Sequence, residues 1–419
     1  MAGNPFVLPK LGYFSWDEIL RSFLLSSKCN NYQYPNKKLV RIIYYAFFSS
    51  EKSWRLRLTK DANILFIGSL LDRESNMKRF LSVADMKKSD YICCSGHKRS
   101  FSLFKGLRML FFLFPCWFFI LLNKGFKTKD LVPIILILKN ISDLQDASKV
   151  INACLDKYKL LVCFFDSRPE ESYFVHLFKK KRISTATLMH GQFNAGRENI
   201  VENCGLEFKS SYSDYFLCWN NFTVEEAIKE GLKKDRLIVL GIISYINQTF
   251  KKCLVPNNKT FGVVLSHPTF ETENIALINA ANTLANKTGL NFVLKLHPNY
   301  DEHYFDDLVS KEFYKGCVEK GISMYDYANM VDFSIVGSSS VFVELIYLYH
   351  NIIRYSSGRN DDKFRDVKIG SYFSKPDQIV DVFAKGFDTE EKEKLFCYMC
   401  SVKNIYKSYL NFFNGTITL

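Results

Sequence analysis

His297 stands in the run NFVLKLHPN at residues 291–299, two positions after Lys295 and directly before Pro298. An imidazole in such a place can donate a hydrogen bond or a proton to a departing phosphate oxygen. Further on, DFSIVGSSSVFVE at residues 332–344 sets Gly337, Ser338, Ser339 and Ser340 before an apolar helical stretch, residues 341–349. Unpaired backbone N–H groups and the helix dipole make a helix start attractive to phosphate. The three serines are therefore expected to bind phosphate oxygens, and Glu344, inside the helix, to reach ribose hydroxyls. His267, in Ser266-His267-Pro268, is a second histidine before a proline at the end of an apolar run. A histidine and a serine-rich helix start at neighbouring strand ends suit a nucleotide phosphate as leaving group. Two more ionisable residues close apolar runs: Asp166 after residues 160–165, and His190 after residues 184–189, followed by Gly191 and Gln192. Either is a candidate base for removing a proton from an attacking hydroxyl.

The elements that must hold these residues follow from the runs themselves. Short runs, apolar at almost every position, are the mark of strands buried on both faces of a parallel sheet. Ligands gather at the carboxyl ends of such strands. The fold class is α/β. Strands are expected at residues 63–68, 131–138, 160–165, 184–189, 215–219 and 237–240, then at 261–265, 291–296, 332–336 and 351–355. Helices are expected at 142–157, after Pro169, at 273–286 and 375–383, and over most of 390–413. The first sixty residues read as helical, and residues 84–100 as a polar, basic connection. The stretch YINQTFKKCLVPNNKT at 245–260 is basic and turn-rich, as a boundary between domains would be. The expected division is 1–245, 246–390, and a helical tail 391–419 that crosses back onto the first domain.

A chain of 419 residues calls for two cores. With 47% hydrophobic and 24% charged residues it is not a disordered chain. Its twelve cysteines include Cys397-x-x-Cys400 and the adjacent Cys93-Cys94, but no second Cys or His pair at zinc spacing. They read as reduced thiols of a cytoplasmic protein. No signal peptide is read at the N-terminus, where Asn4, Pro5 and Pro9 interrupt the apolar residues. The net charge of +13 comes without a zinc finger or an RNA-recognition signature, which leaves an anionic membrane surface as the expected partner, and no nucleic acid. The segment MLFFLFPCWFFILL at 109–122 points the same way. Lys105 and Arg108 precede it, and Lys124, Lys127 and Lys129 follow it. It is shorter than the ~20 residues of a spanning helix and Pro115 interrupts it. It is a buried core helix, a helix lying in the headgroup region, or a true transmembrane span.

A His-Gly at a strand end in the first half, with LKLHPN, GSSS and a helical glutamate in the second, resembles GT-B glycosyltransferases of bacterial surface polysaccharide synthesis. LKLHPN and GSSS look like the His-Pro and Ser-Ser motifs of bacterial sialyltransferases and polysialyltransferases. The layout is also similar to Kdo transferases and teichoic acid glycerophosphotransferases. The resemblance spans residues 160–355. It implies two Rossmann-like domains facing a central cleft, and transfer of a sugar from a CMP- or UDP-activated donor. The implied acceptor is a lipid-linked capsule or O-antigen glycan, met by an enzyme peripheral on the inner face of the bacterial cytoplasmic membrane. No metal and no cofactor is implied, since the nucleotide-sugar is a substrate. In this scheme His297 serves the leaving phosphate. Lys295, Pro298, His267, Ser338, Ser339, Ser340 and Glu344 line the donor site, and His190 and Asp166 are the bases. The chain lacks the acidic pair followed by glycine of bacterial sialyltransferases, so the donor sugar stays open. Three alternatives stand beside transfer: a CDP-polyol glycerophosphotransferase-like enzyme, a non-hydrolysing nucleotide-sugar epimerase of the same two-domain fold, and a degenerate GT-B fold acting only as a scaffold. The acidic and arginine-rich sugar-site motifs expected of that epimerase are not seen.

Overall fold

The computed structural model describes residues 48–68, 89–101, 107, 151, 155–164, 166, 169–189, 211–246, 259–358, 362, 364–400, 402 and 404–418. The expected helices before residue 48, the apolar segment 109–122, the strand at 131–138 and His190 lie outside them. Two sheets organise the rest. The first contains β1 (Phe48–Arg57), β2 (Ile64–Gly68), β3 (Ser89–Phe101), β4 (Leu160–Cys163), β5 (Ser184–Leu188), β6 (Tyr215–Cys218) and β7 (Leu237–Val239). Their spatial order is β1-β3-β2-β4-β5-β6-β7, parallel throughout except for the antiparallel β1–β3 pair. β2 and β4 are buried at every position, as their unbroken apolar sequences require. Helix α1 (Pro169–Lys180) opens on a proline, whose missing N–H has no partner to lose there. Helix α2 (Asn221–Lys229) is capped by Asn220, whose Oδ1 accepts the Thr223 N–H at 2.9 Å.

β1 and β3 correct the sequence reading, which placed a helix and a polar connection there. Their segments, FSSEKSWRLR and SDYICCSGHKRSF, mix charged and apolar residues without a clean period. What makes them strands is pairing: Phe48 lies opposite Phe101 through to Arg57 opposite Tyr91, and residues 89–93 of β3 pair on the other side with β2. β1 is the last strand on that side among the described residues, and an edge tolerates charge.

The second sheet contains β8 (Thr260–Val264), β9 (Asn291–Lys295), β10 (Tyr314–Cys317), β11 (Ser334–Val336), β12 (Ile352–Tyr355) and β13 (Tyr372–Phe373). Its order is β10-β9-β8-β11-β12-β13, all parallel. Helix α3 (Glu271–Thr288) covers one face, burying Leu277, Ala281 and Leu284 against Phe261 and Val263 of β8. On the other face stand α4 (Met324–Met330) and α5 (Val341–Tyr347). There Gly262 is obligatory, since a Cβ would lie 1.9 Å from the Tyr327 hydroxyl. The topology corrects a second expectation. β9 and β11 are not neighbours: β8 runs between them, so the Ser266-His267 end separates the His297 end from the serine turn.

Helices α6 (Ile379–Ala384), α7 (Thr389–Met399) and α8 (Ile405–Thr418) complete the described chain. Helix α8 lies on the first sheet. Phe413 meets Phe66 of β2 edge-on at 6.1 Å, and Phe412 meets Tyr215 of β6 at 5.7 Å. The Tyr409 hydroxyl donates to the Gly241 carbonyl at 3.1 Å. Between the sheets, the Tyr245 ring stacks on Tyr347 at 5.8 Å, and the Tyr347 hydroxyl donates to the Trp219 carbonyl at 3.3 Å. One continuous apolar core includes residues from both halves.

Candidate functional site

At the carboxyl edge of the second sheet, β8 and β9 stay paired past their assigned ends, with Leu265 N–H donating to the Lys295 carbonyl at 3.0 Å. This brings the two proline-flanked histidines together. The rings of His267 and His297 stand edge to face, 4.9 Å between centroids. Each is set by the backbone that follows it. His267 Nδ1 accepts the Thr269 N–H at 3.2 Å, and His297 Nδ1 accepts the Asn299 N–H at 3.2 Å. An Nδ1 that accepts cannot carry the proton of a neutral ring, so both neutral imidazoles bear it on Nε2. The Asn299 side-chain amide lies 3.0 Å from His267 Nε2. With that nitrogen protonated, the amide must turn its oxygen toward it. Pro298 is exposed and offers no donor; it follows His297 as Pro268 follows His267.

Lys295 ends β9 on the opposite face from Leu294, with its ammonium over the Tyr327 ring at 5.8 Å. Half-burial lowers its pKa from the ordinary lysine value, and the charge of Glu344 partly restores it. Glu344 sits in the first turn of α5 and reaches across to the other half, accepting the Tyr245 hydroxyl on Oε2 at 3.1 Å. Lys295, two residues before His297, thus senses the charge of Glu344.

The serine turn is built differently from the expectation. Ser338 is buried, and both its N–H (2.8 Å) and its hydroxyl (2.7 Å) donate to the carboxyl of Glu273 on α3. Its hydroxyl is therefore engaged within the protein and not presented to a ligand. Ser339 Oγ accepts the Val341 N–H at 3.3 Å, and Ser340 stands at the helix start. Gly337 makes the turn possible, because a Cβ there would fall 2.2 Å from Glu273 Oε1.

In the first half, Asp166 is buried beyond the end of β4. Its Oδ2 accepts three donors: Ser211 Oγ at 3.0 Å, Tyr212 N–H at 2.8 Å and Ser213 N–H at 2.8 Å. Burial raises its pKa against the pull of those donors. This geometry corrects the reading of Asp166 as an open base, since its carboxyl instead shapes the turn that leads into β6. His190 follows β5 outside the described residues. A shallow concavity lined by Tyr349, His350, Asn351 and Lys392 lies at the other, amino edge of the second sheet, away from these groups.

Sequence reading missed Glu273, Asn274 and the Arg354–Asp362 pair. Burial pushes Glu273 above the ordinary carboxylate range, against the pull of Ser338 and Ser266. A signal for Glu273 existed: it stands in line with Leu277, Ala280, Ala281 and Leu284, a carboxylate within the apolar stripe of a helix.

Two parallel-rich α/β sheets, each layered with helices and with ligand-type residues at strand carboxyl ends, make this a GT-B-like chain of two Rossmann-like domains. No family model matches the sequence, and no curated protein matches it either. Among solved structures it is similar to the UDP-GlcNAc 2-epimerase of Methanocaldococcus jannaschii in complex with UDP-GlcNAc and UDP. That match has 12% identity and a TM-score of 0.51, over 84% of this chain and 99% of that one. It is similar to a second UDP-N-acetylglucosamine 2-epimerase at 13% identity and a TM-score of 0.52, covering 85% and 97%. The Neisseria meningitidis UDP-GlcNAc 2-epimerase bound to UDP-GlcNAc matches at 14% and 0.50, covering 85% and 99%. At such identities the likeness is one of fold. No helix among the described residues is long and apolar enough to cross a membrane.

Proposed function

We propose that this chain is an enzyme acting on a nucleotide-activated sugar, with the second domain holding the nucleotide and its diphosphate. The observation that carries the reading is the pairing of His267 and His297 at the carboxyl ends of adjacent parallel strands, with Lys295 closing one of those strands. Negative charge grows on the phosphate as its bond to the anomeric carbon breaks. Donors fixed beforehand at that point stabilise the transition state more than the ground state. The His297 Nε2–H and the Lys295 ammonium supply them, with His267, whose Nε2 meets the Asn299 amide, packed against the His297 ring, and the reading calls on no metal. Glu344 is the proposed partner of the ribose, and Ser339 and Ser340 of phosphate oxygens. His190, from the first domain, is the proposed base.

Two outcomes of that bond cleavage are in play. The fold likeness favours epimerisation of a UDP-sugar, since the similar structures are UDP-GlcNAc 2-epimerases matched over nearly their whole length. At C2 no carbonyl acidifies the proton, so it leaves together with the nucleoside diphosphate to give a C1–C2 double bond. The same diphosphate then re-adds at C1 while a proton is delivered to the other face of C2. The second reading is transfer to a lipid-linked glycan at the cytoplasmic membrane face. It is favoured by the basic-flanked apolar segment 109–122 and the charge of +13. A CDP-polyol donor belongs to the same test.

The purified chain is incubated in D₂O with UDP-, CMP- and CDP-activated donors, with and without lipid-linked glycan. Epimerisation breaks a C–H bond, so deuterium enters the nucleotide-sugar without any acceptor. Transfer leaves that carbon intact and releases nucleotide when acceptor is present. Neither exchange nor release with any donor would overturn the proposal.

A further inference from the structure

Three strand ends carry the candidate chemistry, and one dipeptide in the first turn of α3 holds all three. Glu273 Oε1 accepts the Ser266 hydroxyl at 3.0 Å and the Ser338 N–H at 2.8 Å, while Oε2 accepts the Ser338 hydroxyl at 2.7 Å. It therefore ties the end of β8 to the end of β11. Asn274 Oδ1 accepts the Ser266 N–H at 2.8 Å, and its Nδ2 donates to the Ser266 carbonyl and to the Tyr300 hydroxyl, each at 3.0 Å. That second clamp ties β8 to the loop after β9. His267 directly follows Ser266, and the His297 carbonyl accepts the Tyr300 N–H at 3.0 Å. Both clamp residues are buried.

Stability alone does not account for a carboxyl at this position. Glu273 interrupts an apolar helical stripe, where a leucine would bury without desolvating a charge. Asp362 adds a second buried acid next to it, 3.4 Å from Ser338 Oγ. Asp362 is braced by Ser356 Oγ at 2.8 Å and Phe364 N–H at 2.9 Å, with Arg354 at 3.5 Å. What the carboxyl and its neighbouring amide uniquely supply is direction: they accept and donate at three loops at once.

We infer that Glu273 and Asn274 are positioning residues, which keep His267, His297 and the 337–340 turn in mutual register for the sugar-nucleotide chemistry. The inference rests on the function proposed above, and neither residue touches the reacting atoms in this scheme. Glutamine is the informative replacement at 273. Its oxygen can still accept from Ser266 and the Ser338 N–H. Its amide can donate to Ser338 Oγ, whose own proton then turns to Asp362. Geometry is kept and charge is lost.

The test compares Glu273→Ala, Glu273→Gln and Asn274→Ala in the full chain by two readouts. Steady-state kinetics with the active donor is expected to show kcat lowered about 10- to 100-fold in the alanine variants, the worth of one or two lost hydrogen bonds to a charged or buried polar group. Glu273→Gln is expected to retain most of the rate. Imidazole ¹H–¹⁵N correlation spectra, free of any assumption about activity, are expected to show the His267 and His297 signals displaced in the alanine variants. His350, on the amino edge beside Ser334 at 3.0 Å, should stay in place as internal control. If Glu273→Ala fails to fold, Asn274→Ala and the glutamine variant decide the matter. Folded alanine variants with unmoved His267 and His297 signals would overturn the inference, and so would moved signals with a wild-type kcat. A wild type inactive on every donor would instead sink the proposed function, while the spectra still judge the positioning.

Discussion

His297 and Asp166 both end apolar runs, yet their surroundings give them opposite tasks. His297 is half-exposed, and its ring is oriented by a backbone N–H on Nδ1. His297→Ala should lower kcat on the order of 100- to 1,000-fold, the usual effect of deleting one preorganised donor, with little change in melting temperature. Asp166 is sealed, and the Ser211 hydroxyl and the Tyr212 and Ser213 N–H groups all reach one of its oxygens. An asparagine with its oxygen in that place keeps the three bonds, so Asp166→Asn should fold and stay within a few-fold of wild-type rate. Because burial raises the native pKa of Asp166, its protonated form favours folding. That contribution is complete below the unfolded carboxyl value of about 4 and is lost as pH rises through the native one. The urea midpoint of wild type relative to Asp166→Asn should accordingly fall as pH is raised; a constant difference would refute the assignment. Sequence made His297 legible because Pro298 and Asn299, which set its ring, are its neighbours. It left Asp166 ambiguous because the donors that occupy it lie some 45 residues further along.

The strands that were readable are those whose own side chains determine burial. Ile64–Gly68 and Leu160–Cys163 are apolar at nearly every position and lie in the middle of a parallel sheet. β1 and β3 escaped because pairing with neighbouring strands, β3 with both β1 and β2, and not a hydrophobic pattern, makes them strands. Helix α8 carries the converse lesson. Its apolar residues are plain in the sequence, but the surface they cover belongs to strands more than 180 residues earlier, at Phe66 and Tyr215. Phe413 is almost wholly buried there. Phe413→Ala should cost about 3–5 kcal/mol of unfolding free energy, as truncation of a core phenylalanine generally does. Chemical denaturation would measure it, and a loss below about 1 kcal/mol would show that α8 is not integral to the first domain's core.

For the molecule as a whole, the proposed membrane-side reading depends on residues 109–122. If that segment docks on lipid, changing Phe111, Phe118 and Phe119 to serine should move the folded protein from the membrane pellet to the supernatant. A wild type found wholly in the supernatant without detergent would dispose of the idea. Another consequence follows from the path of the chain. It passes from the first sheet to the second after Ile246, and returns through α7 and α8 to lie on β2 and β6. Between those passages Tyr245, Tyr347, Trp219 and the rings of Phe222 and Phe364 form a packed seam. Two bodies tethered at a single point can swing in any direction; tethered twice along a filled seam, they can turn only about the line of the seam. The two halves would turn about that seam as the covers of a book turn about its spine.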